Sequence, residues 1–307
     1  MNLLLTGGLG HIGTYFLSRV HEIKIIKKIY VIDKIEERIV RLVNLKLKKK
    51  VTFINLDLSK NKIKTNILKK IDCVMHLSSA TNAEASVGNK KEIFKNNLGC
   101  FKNVLDFCKK KNISFIHFSS TSVYGSQDLY VDENCKELLP QSPYANIKII
   151  EEKMLRKTPK KFKFVTLRLG TIVGPSSGMR FHTAVNKFCL QTYLNKPLTV
   201  WKTAFKQYRP YLSISDSFKA FKFILENQIF DRDIYNILSK NLTVEDIVKI
   251  INKFKKTKIN FVGSKIMNQL SYKVRKNKIE NQGLKINSNL KDEIKKTLKI
   301  LDKKILL

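Results

Sequence analysis

The chain predicts an α/β protein built on a doubly wound parallel sheet, and three observations carry that expectation. Short apolar runs alternate with helical stretches along the first half of the sequence. The first run, Asn2 to Thr6, opens directly into the glycine-rich segment GGLGHIG. The second ends at Asp33, 20 residues beyond Gly13. A glycine turn joining strand to helix, with a carboxylate at the end of the next strand, is the arrangement of a dinucleotide-binding crossover unit.

Each element follows from its own residues. Asn2 to Thr6 is a short apolar strand, and His11 to Val20 has helical periodicity. Ile29 to Ile32, β-branched and aromatic, is the second strand; a helix is expected from Glu36 to Leu45 and a third strand at Val51 to Asn55, just before Asp57. Asp72 to Leu77 is a fourth strand, Glu92 to Lys110 a long helix and Ile113 to Phe118 a fifth strand running into SSTSVYG. Tyr144 to Arg156 is helical, and Phe162 to Arg168 is a sixth strand. Strands this apolar, separated by helices, are covered on both faces, and right-handed crossovers then wind the sheet in both directions. After Gly170 the pattern loosens into a Gly-Pro-Ser loop at Gly174 to Gly178, a helix at Phe181 to Leu194, the segment Arg209 to Tyr211 and a helix at Ser215 to Glu226. The last hundred residues read as lysine-rich and mostly helical, with a strand near Tyr235 to Ile237.

Composition narrows the class. With 307 residues and 43% hydrophobic content the chain can bury a substantial core. No run approaches the roughly 18 apolar residues of a membrane span. The opening MNLLLTGGLGHIG reads as strand and turn rather than a signal peptide, so a cytoplasmic location is expected. Five scattered cysteines without C-x-x-C or clustered histidines suggest neither a disulfide frame nor a metal site. The net charge of +34 raises nucleic acid as a partner. Only nine of the 59 basic residues are Arg, however, and the 50 lysines are dispersed, a bias an AT-rich genome would produce. Arg is the better bidentate reader of phosphate and guanine, so its scarcity favours a solvated lysine surface.

Two sites carry chemistry. Gly7, Gly10 and Gly13 permit a tight turn whose backbone N–H groups approach a pyrophosphate at a helix N-terminus. Asp33 is placed to accept ribose hydroxyls and would repel the extra phosphate of NADP, which favours NAD; Lys34 and Arg38 keep NADP as a minority reading. Asp57 either meets the adenine amino group or caps the turn before Leu58 and Ser59. Tyr144 and Lys148 lie four apart on one helix face, where the ammonium favours a phenolate and makes the tyrosine a usable base.

At this point the chain resembles the extended short-chain dehydrogenase/reductase family, specifically its nucleotide-sugar epimerases and dehydratases. The resemblance covers nearly the whole chain and rests on TGGLGHIG, Asp33, NLDL at 55–58, VMHLSSA at 74–80, NNLG at 96–99, FSSTSVYG at 118–125, YANIK at 144–148, RLGTIVGP at 168–175, and Arg209 with Asp216. It implies a Rossmann domain over residues 1–169. Residues 170–307 would be a smaller, mainly substrate-binding region that returns some segments to it. It implies that Gly7, Leu9, Gly10, His11, Ile12 and Gly13 line the NAD phosphates, that Asp33, Asp57 and Leu58 meet the adenosine, and that Leu77, Ser78 and Ser79 pass beneath the dinucleotide. Asn97 would steady the site, Tyr144 would be the acid/base, Lys148 would bind the nicotinamide ribose, and Ser120 would complete the catalytic set. Arg209 would clamp a substrate diphosphate, and Thr81, Ser120, Thr121 and Thr171 would line the substrate pocket.

Departures from the family sharpen the expectation. The acid pair that dehydratases carry after the catalytic hydroxyl is replaced by Thr121 and Ser122, which disfavours 4,6-dehydration. Thr171 stands where an Asn is usual, so the phosphate contacts differ. The segment GMRFHTAVNKF is the least generic, and Arg180, His182 and Asn186 are its candidates for substrate contact. The resemblance implies an NAD-dependent nucleotide-sugar epimerase, as a homodimer pairing the helices of Asn97 and Tyr144. Two alternatives are a net sugar-nucleotide oxidoreductase and an altered relative that binds RNA through its basic surface.

Overall fold

The structure, a computed structural model, describes residues 1–43, 45, 47–64, 68, 70–81, 88–128, 130–263 and 271–304. In the first half, β1 (Asn2–Thr6), α1 (His11–Arg19), β2 (Lys28–Asp33), α2 (Val40–Val43), β3 (Val51–Asn55), β4 (Cys73–His76), α3 (Lys90–Lys111) and β5 (Ser114–Ser120) alternate as the sequence predicts. The two-residue β6 (Tyr130–Val131) precedes α4 (Pro143–Arg156), β7 (Phe164–Leu169) and β8 (Thr171–Val173). Then come α5 (Ala184–Tyr193), β9 (Leu198–Trp201), β10 (Tyr208–Ser213), α6 (Ile214–Glu226) and β11 (Ile234–Ile237). The chain closes with β12 (Lys240–Thr243), α7 (Val244–Asn252), β13 (Ile259–Val262), β14 (Lys273–Val274), α8 (Asn277–Asn281) and α9 (Leu290–Lys304).

Seven strands form one parallel sheet in the order β11-β7-β5-β4-β1-β2-β3. The chain starts at β1, winds outward through β2 and β3, then crosses back to β4 on the other side of β1. That reversal opens a crevice at the carboxyl ends of β1 and β4, the place where such sheets bind ligands. In β1 the residues Leu3, Leu4 and Leu5 are fully buried. Leu3 and Leu5 enter the core beneath α1 and α6, and Leu4 enters the core beneath α3. A strand apolar on both faces can only be interior.

Two expectations need correction. The helix expected at Glu36 to Leu45 is a 3₁₀ turn, Glu36–Ile39, followed by the single turn α2. Among the described residues of this stretch only Leu42 is buried, so it has too little apolar face to extend. The final third is less helical than expected: β12, β13 and β14 pair with β10, β9 and β6. Each is only two to four residues long and is set by a partner distant in sequence, so local periodicity does not reveal it. β11 comes from this region yet completes the main sheet beside β7.

A buried ionic cluster ties α4 to the sheet. Arg168 of β7 holds Glu152 of α4 bidentately, with Nε to Oε1 at 2.9 Å and Nη2 to Oε2 at 2.6 Å. The Ser119 hydroxyl donates to the same carboxylate at 2.6 Å. Arg168 also donates to the Tyr124 hydroxyl, which donates to Asn236 of β11, each at 2.9 Å. Removing one member leaves an uncompensated buried charge. Arg168→Leu is therefore expected to lower stability by about 3–5 kcal/mol in urea unfolding, and the double variant Arg168→Met/Glu152→Gln to recover most of the loss.

Candidate active site

The crevice floor is made by the β1–α1 turn. Gly7 has φ +67°, and a Cβ there would lie 2.7 Å from the Leu77 carbonyl carbon and the Ser78 nitrogen. The turn is thus pressed against the chain leaving β4, and only glycine fits. Gly10 precedes α1 without a side-chain cap, and no acid occupies the first turn of the helix. Its free N–H groups and the helix dipole make this end an anion site.

Asp33, at the end of β2, accepts N–H bonds from Leu9 at 3.1 Å and Lys34 at 2.9 Å. Arg41 donates to the Leu9 carbonyl at 2.7 Å. Arg180 reaches in from the loop before α5, with Nη1 2.8 Å from the Thr81 hydroxyl and Nη2 3.6 Å from where a Gly10 Cβ would stand. Burial and the neighbouring Arg38 and Arg41 depress the Arg180 pKa, while Asp33 opposes them. Two guanidinium groups, Arg41 and Arg180, therefore reach the glycine turn, with Arg38 adding positive charge nearby, an environment that favours a phosphate-bearing ligand.

The residues present fit a dinucleotide. A Cβ at Gly10 would stand 3.2 Å from the Gly7 carbonyl oxygen and 3.6 Å from Arg180, so this turn presents bare backbone to a phosphate, and the Ser79 hydroxyl, on the chain leaving β4, is buried without a partner among the described residues. Asn97 clamps this floor, donating to the Ala80 carbonyl at 3.0 Å and accepting from its N–H at 2.8 Å. Asp57 uses one oxygen on the Ser59 amide at 2.9 Å and hydroxyl at 2.6 Å, the turn-capping alternative, and its other oxygen faces Lys34 at 3.9 Å. Leu58 is a core residue.

Opposite the glycine turn, Ser142 caps α4 by accepting the Ala145 N–H at 3.2 Å, and Pro143 opens the helix. This sets Tyr144 in the first turn and Lys148 one turn later, with the ammonium 5.7 Å from the phenol ring centroid. Ser120, ending β5, hydrogen-bonds the Tyr144 phenol and lies 2.8 Å from the Ser122 hydroxyl. Burial pushes the Tyr144 pKa up, and Lys148 draws it back down.

Other expected residues fall around this centre in different ways. His11 turns its imidazole to the Gly174 carbonyl at 2.9 Å, and burial lowers its pKa to about 4, so it sits there neutral. Thr121 is buried, bonded to the Leu169 carbonyl at 3.3 Å and near the Tyr272 hydroxyl at 3.4 Å. Thr171 starts β8 beside Tyr211. Asn186 is fully buried and spends both amide ends on the loop backbone, at Gly174 N and the Arg180 carbonyl. His182 is exposed, with its pKa lowered by what burial it has and by Arg180. Arg209 lies on β10, its Nε buried and without a partner among the described residues.

Sequence reasoning missed a group beneath Lys148. Glu151 Oε2 accepts from Lys148 Nζ and from His117 Nε2, both at 2.8 Å, and all three are at most 2% exposed. His76, on the neighbouring strand, contacts the Thr6 hydroxyl through Nδ1 at 2.8 Å. Two adjacent glutamates in a chain with only 25 acids, on the helix of the Tyr–Lys pair, were the available signal.

The fold and site together define a doubly wound protein with a dinucleotide crevice and a Ser–Tyr–Lys set at its edge. The chain belongs to the NAD dependent epimerase/dehydratase family, whose model matches residues 3–237. Among curated relatives it is 26% identical over 97% of its length to a trifunctional UDP-glucose 4,6-dehydratase/UDP-4-keto-6-deoxy-D-glucose 3,5-epimerase/UDP-4-keto-L-rhamnose-reductase of Arabidopsis thaliana, covering 46% of that protein. The chain thus spans about half the length of the first relatives it matches. It is 29% identical to an uncharacterized UDP-glucose epimerase of Bacillus subtilis, over 73% of this chain and 72% of the other. Among solved structures, the UDP-glucuronic acid 4-epimerase of Bacillus cereus in complex with UDP-glucuronic acid and NAD superposes with a TM-score of 0.86 at 25% identity, covering 99% of both chains. The UDP-N-acetylglucosamine 4-epimerase of Methanobrevibacter ruminantium shares the fold, with a TM-score of 0.85 at 22% identity over 99% of both. No helix among the described residues is long and apolar enough to cross a membrane.

The buried ionisable groups make stability fall on the acid side. Burial lowers the His76 pKa to about 3 and that of His117 in the same direction, so both take up protons more readily when unfolded. Their contribution is intact above the unfolded histidine value of about 6.5 and is lost as pH drops below it. For Glu151, burial opposes ionisation, but Lys148 and His117 outweigh it and hold the pKa at about 2; Arg168 does the same for Glu152 in direction. Their contribution is lost as pH falls below the unfolded glutamate value of about 4.3. Melting temperature is expected to decline below about pH 6.5 and more steeply below about pH 4.5, as scanning calorimetry would record.

Proposed function

We propose that the chain is an NAD-dependent epimerase acting on a nucleotide-activated sugar through a transient keto intermediate. The observation that carries this reading is the placement of Ser120 and Lys148 against Tyr144 at the carboxyl edge of the sheet, across from the glycine turn. NAD would be held by the turn Gly7 to Gly13, by Asp33 at the ribose and by the floor Leu77 to Ser79, with Lys148 at the nicotinamide ribose. When bound, it would supply the redox chemistry that no protein side chain provides, accepting the hydride of the reacting carbon and giving it back on the opposite face, so that no net oxidation remains.

Tyr144 takes the proton from the reacting sugar hydroxyl. The Lys148 ammonium beneath it stabilises the phenolate form. Ser120 donates to the developing carbonyl oxygen, an interaction that strengthens in the transition state. Once the keto sugar has turned over, Tyr144 returns the proton to the oxygen, and the stereocentre is inverted. Arg209 fits the substrate diphosphate, because its buried Nε lacks a partner among the described residues and a guanidinium binds phosphate bidentately. Thr121 and Ser122, the residues after Ser120, offer no acid to expel a hydroxyl, which favours epimerisation over dehydration. The 25% identity to the Bacillus cereus epimerase over nearly the whole chain supports the same cofactor and substrate class. A homodimer through α3 and α4 belongs to this reading, and light scattering after size exclusion would report it.

Incubation with a panel of nucleotide sugars, resolved by chromatography and mass spectrometry, is expected to yield an isomer from one of them without net NADH formation. Tyr144→Phe is expected to lower kcat by about 10²–10⁴-fold while NAD still binds. Undiminished turnover in that variant, or steady NADH accumulation, would overturn the assignment.

A further inference from the structure

We infer that Glu151, braced by His117, is a positioning residue for Lys148, fixing the ammonium beneath Tyr144 and setting the pH range in which the tyrosine serves as base. This deepens the function proposed above and rests on Tyr144 being the acid/base.

The geometry is specific. Lys148 and Glu151 are three apart on α4, so their side chains share a face, and Nζ meets Oε2 at 2.8 Å. The same oxygen receives His117 Nε2 from β5 at 2.8 Å, which locks the carboxylate from the sheet side. His117 is itself fixed: its ring lies 5.4 Å from Phe101 and 6.5 Å from Phe115 by centroid, and its Nδ1 is 3.4 Å from the Thr166 hydroxyl. Lys148 is 2% exposed and Glu151 1% exposed, so water screens neither charge.

The ionisable groups around the pair come from four elements. Tyr144 and Glu152 share α4 with it, His117 is on β5, His76 on β4 and Cys100 on α3. Arg180 faces Tyr144 from the loop before α5. Glu152 is committed to Arg168 and Ser119, and burial keeps both histidines neutral, so Glu151 is the carboxylate committed to Lys148. Burial alone disfavours the Lys148 ammonium, and Glu151, with smaller help from Tyr144 and Glu152, outweighs it. The same negative charge opposes formation of the Tyr144 phenolate. Glu151 therefore does two things at once: it keeps the lysine charged to high pH, and it restrains the tyrosine from ionising too easily.

Glu151→Gln removes the charge and keeps the shape. Phenolate then forms at lower pH, because its repulsion is gone, and Lys148 loses its proton at lower pH, because its partner is gone. Tyr144 ionisation is read without turnover, as the near-ultraviolet phenolate absorbance of the protein minus that of its Tyr144→Phe counterpart, with and without NAD. In Glu151→Gln this transition is expected to move to lower pH, together with both limbs of the kcat/KM profile, while kcat falls on the order of 10-fold through looser placement of Lys148. Glu151→Asp, which keeps the charge, is expected to return the transition toward the wild-type position. His117→Phe keeps the packing against Phe101 and Phe115 but removes the brace. Glu151 then bears more fully on Lys148 and Tyr144, and the transition moves to higher pH.

Opposite shifts in Glu151→Gln and His117→Phe support the inference; if Glu151→Gln does not fold, the upward shift in His117→Phe carries it. Phenolate titrations that superimpose on wild type, with activity lost only in proportion to stability, would overturn it. A normal set of shifts in a protein that turns over no nucleotide sugar would instead count against the proposed substrate and leave the role of Glu151 standing.

Discussion

The site depends on how α4 is fastened to the sheet. Tyr144 and Lys148 are useful only if their helix face meets the ends of β4 and β5 at one distance and one rotation. Apolar packing alone allows a helix to slide or roll by a fraction of a turn at small cost. The bidentate Arg168–Glu152 pair, with Ser119 on the same carboxylate, does not. It joins β7, β5 and α4 through directional bonds, and Tyr124 extends the cluster to Asn236 of β11. A buried ion pair contributes little net stability over a well-packed apolar substitute, but it specifies a single arrangement where positioning matters.

One turn of helix separates this anchor from the chemistry. Glu152 faces the sheet through Arg168, and Glu151, its neighbour, faces Lys148 and His117. Consecutive glutamates thus divide the labour: one sets where the helix lies, the other sets the charge above it. The anchoring cluster sits in low dielectric, which makes its bonds strong when complete and any orphaned member costly.

Much of this was legible in the residues. The glycine turn, Asp33, Tyr144 and Lys148 are read from spacing along one crossover unit or one helix face, whereas Ser120 comes only from the family resemblance of the segment FSSTSVYG. All seven main strands announce themselves as short runs rich in apolar, β-branched or aromatic residues, the one near Tyr235 to Ile237 included. What stayed hidden depends on partners remote in sequence. β12 to β14 are short and exist because other strands wait for them. His117 and His76 look like ordinary strand residues until the sheet sets them beside Glu151 and Thr6. Asn186, read as a substrate contact, holds the loop backbone of Gly174 and Arg180, a role that only the fold of that loop assigns. His11 is likewise diverted to a carbonyl 163 residues away.

The loop that carries Gly178 ties the two ends of the chain's history together. A Cβ at Gly178 would stand 2.5 Å from the Gly10 carbonyl oxygen, Ser176 donates to the His11 carbonyl at 2.9 Å, and the Gly178 N–H reaches Thr14 at 2.9 Å. The glycine turn is therefore roofed by residues translated long after it. During synthesis the first strands and helices can collapse early, but the cleft they begin stays open to solvent until this loop has left the ribosome and settled. A chain folded only through its first strands would therefore hold the glycine turn without its roof, and the cleft is finished only when residues 164 and 165 positions away close over it.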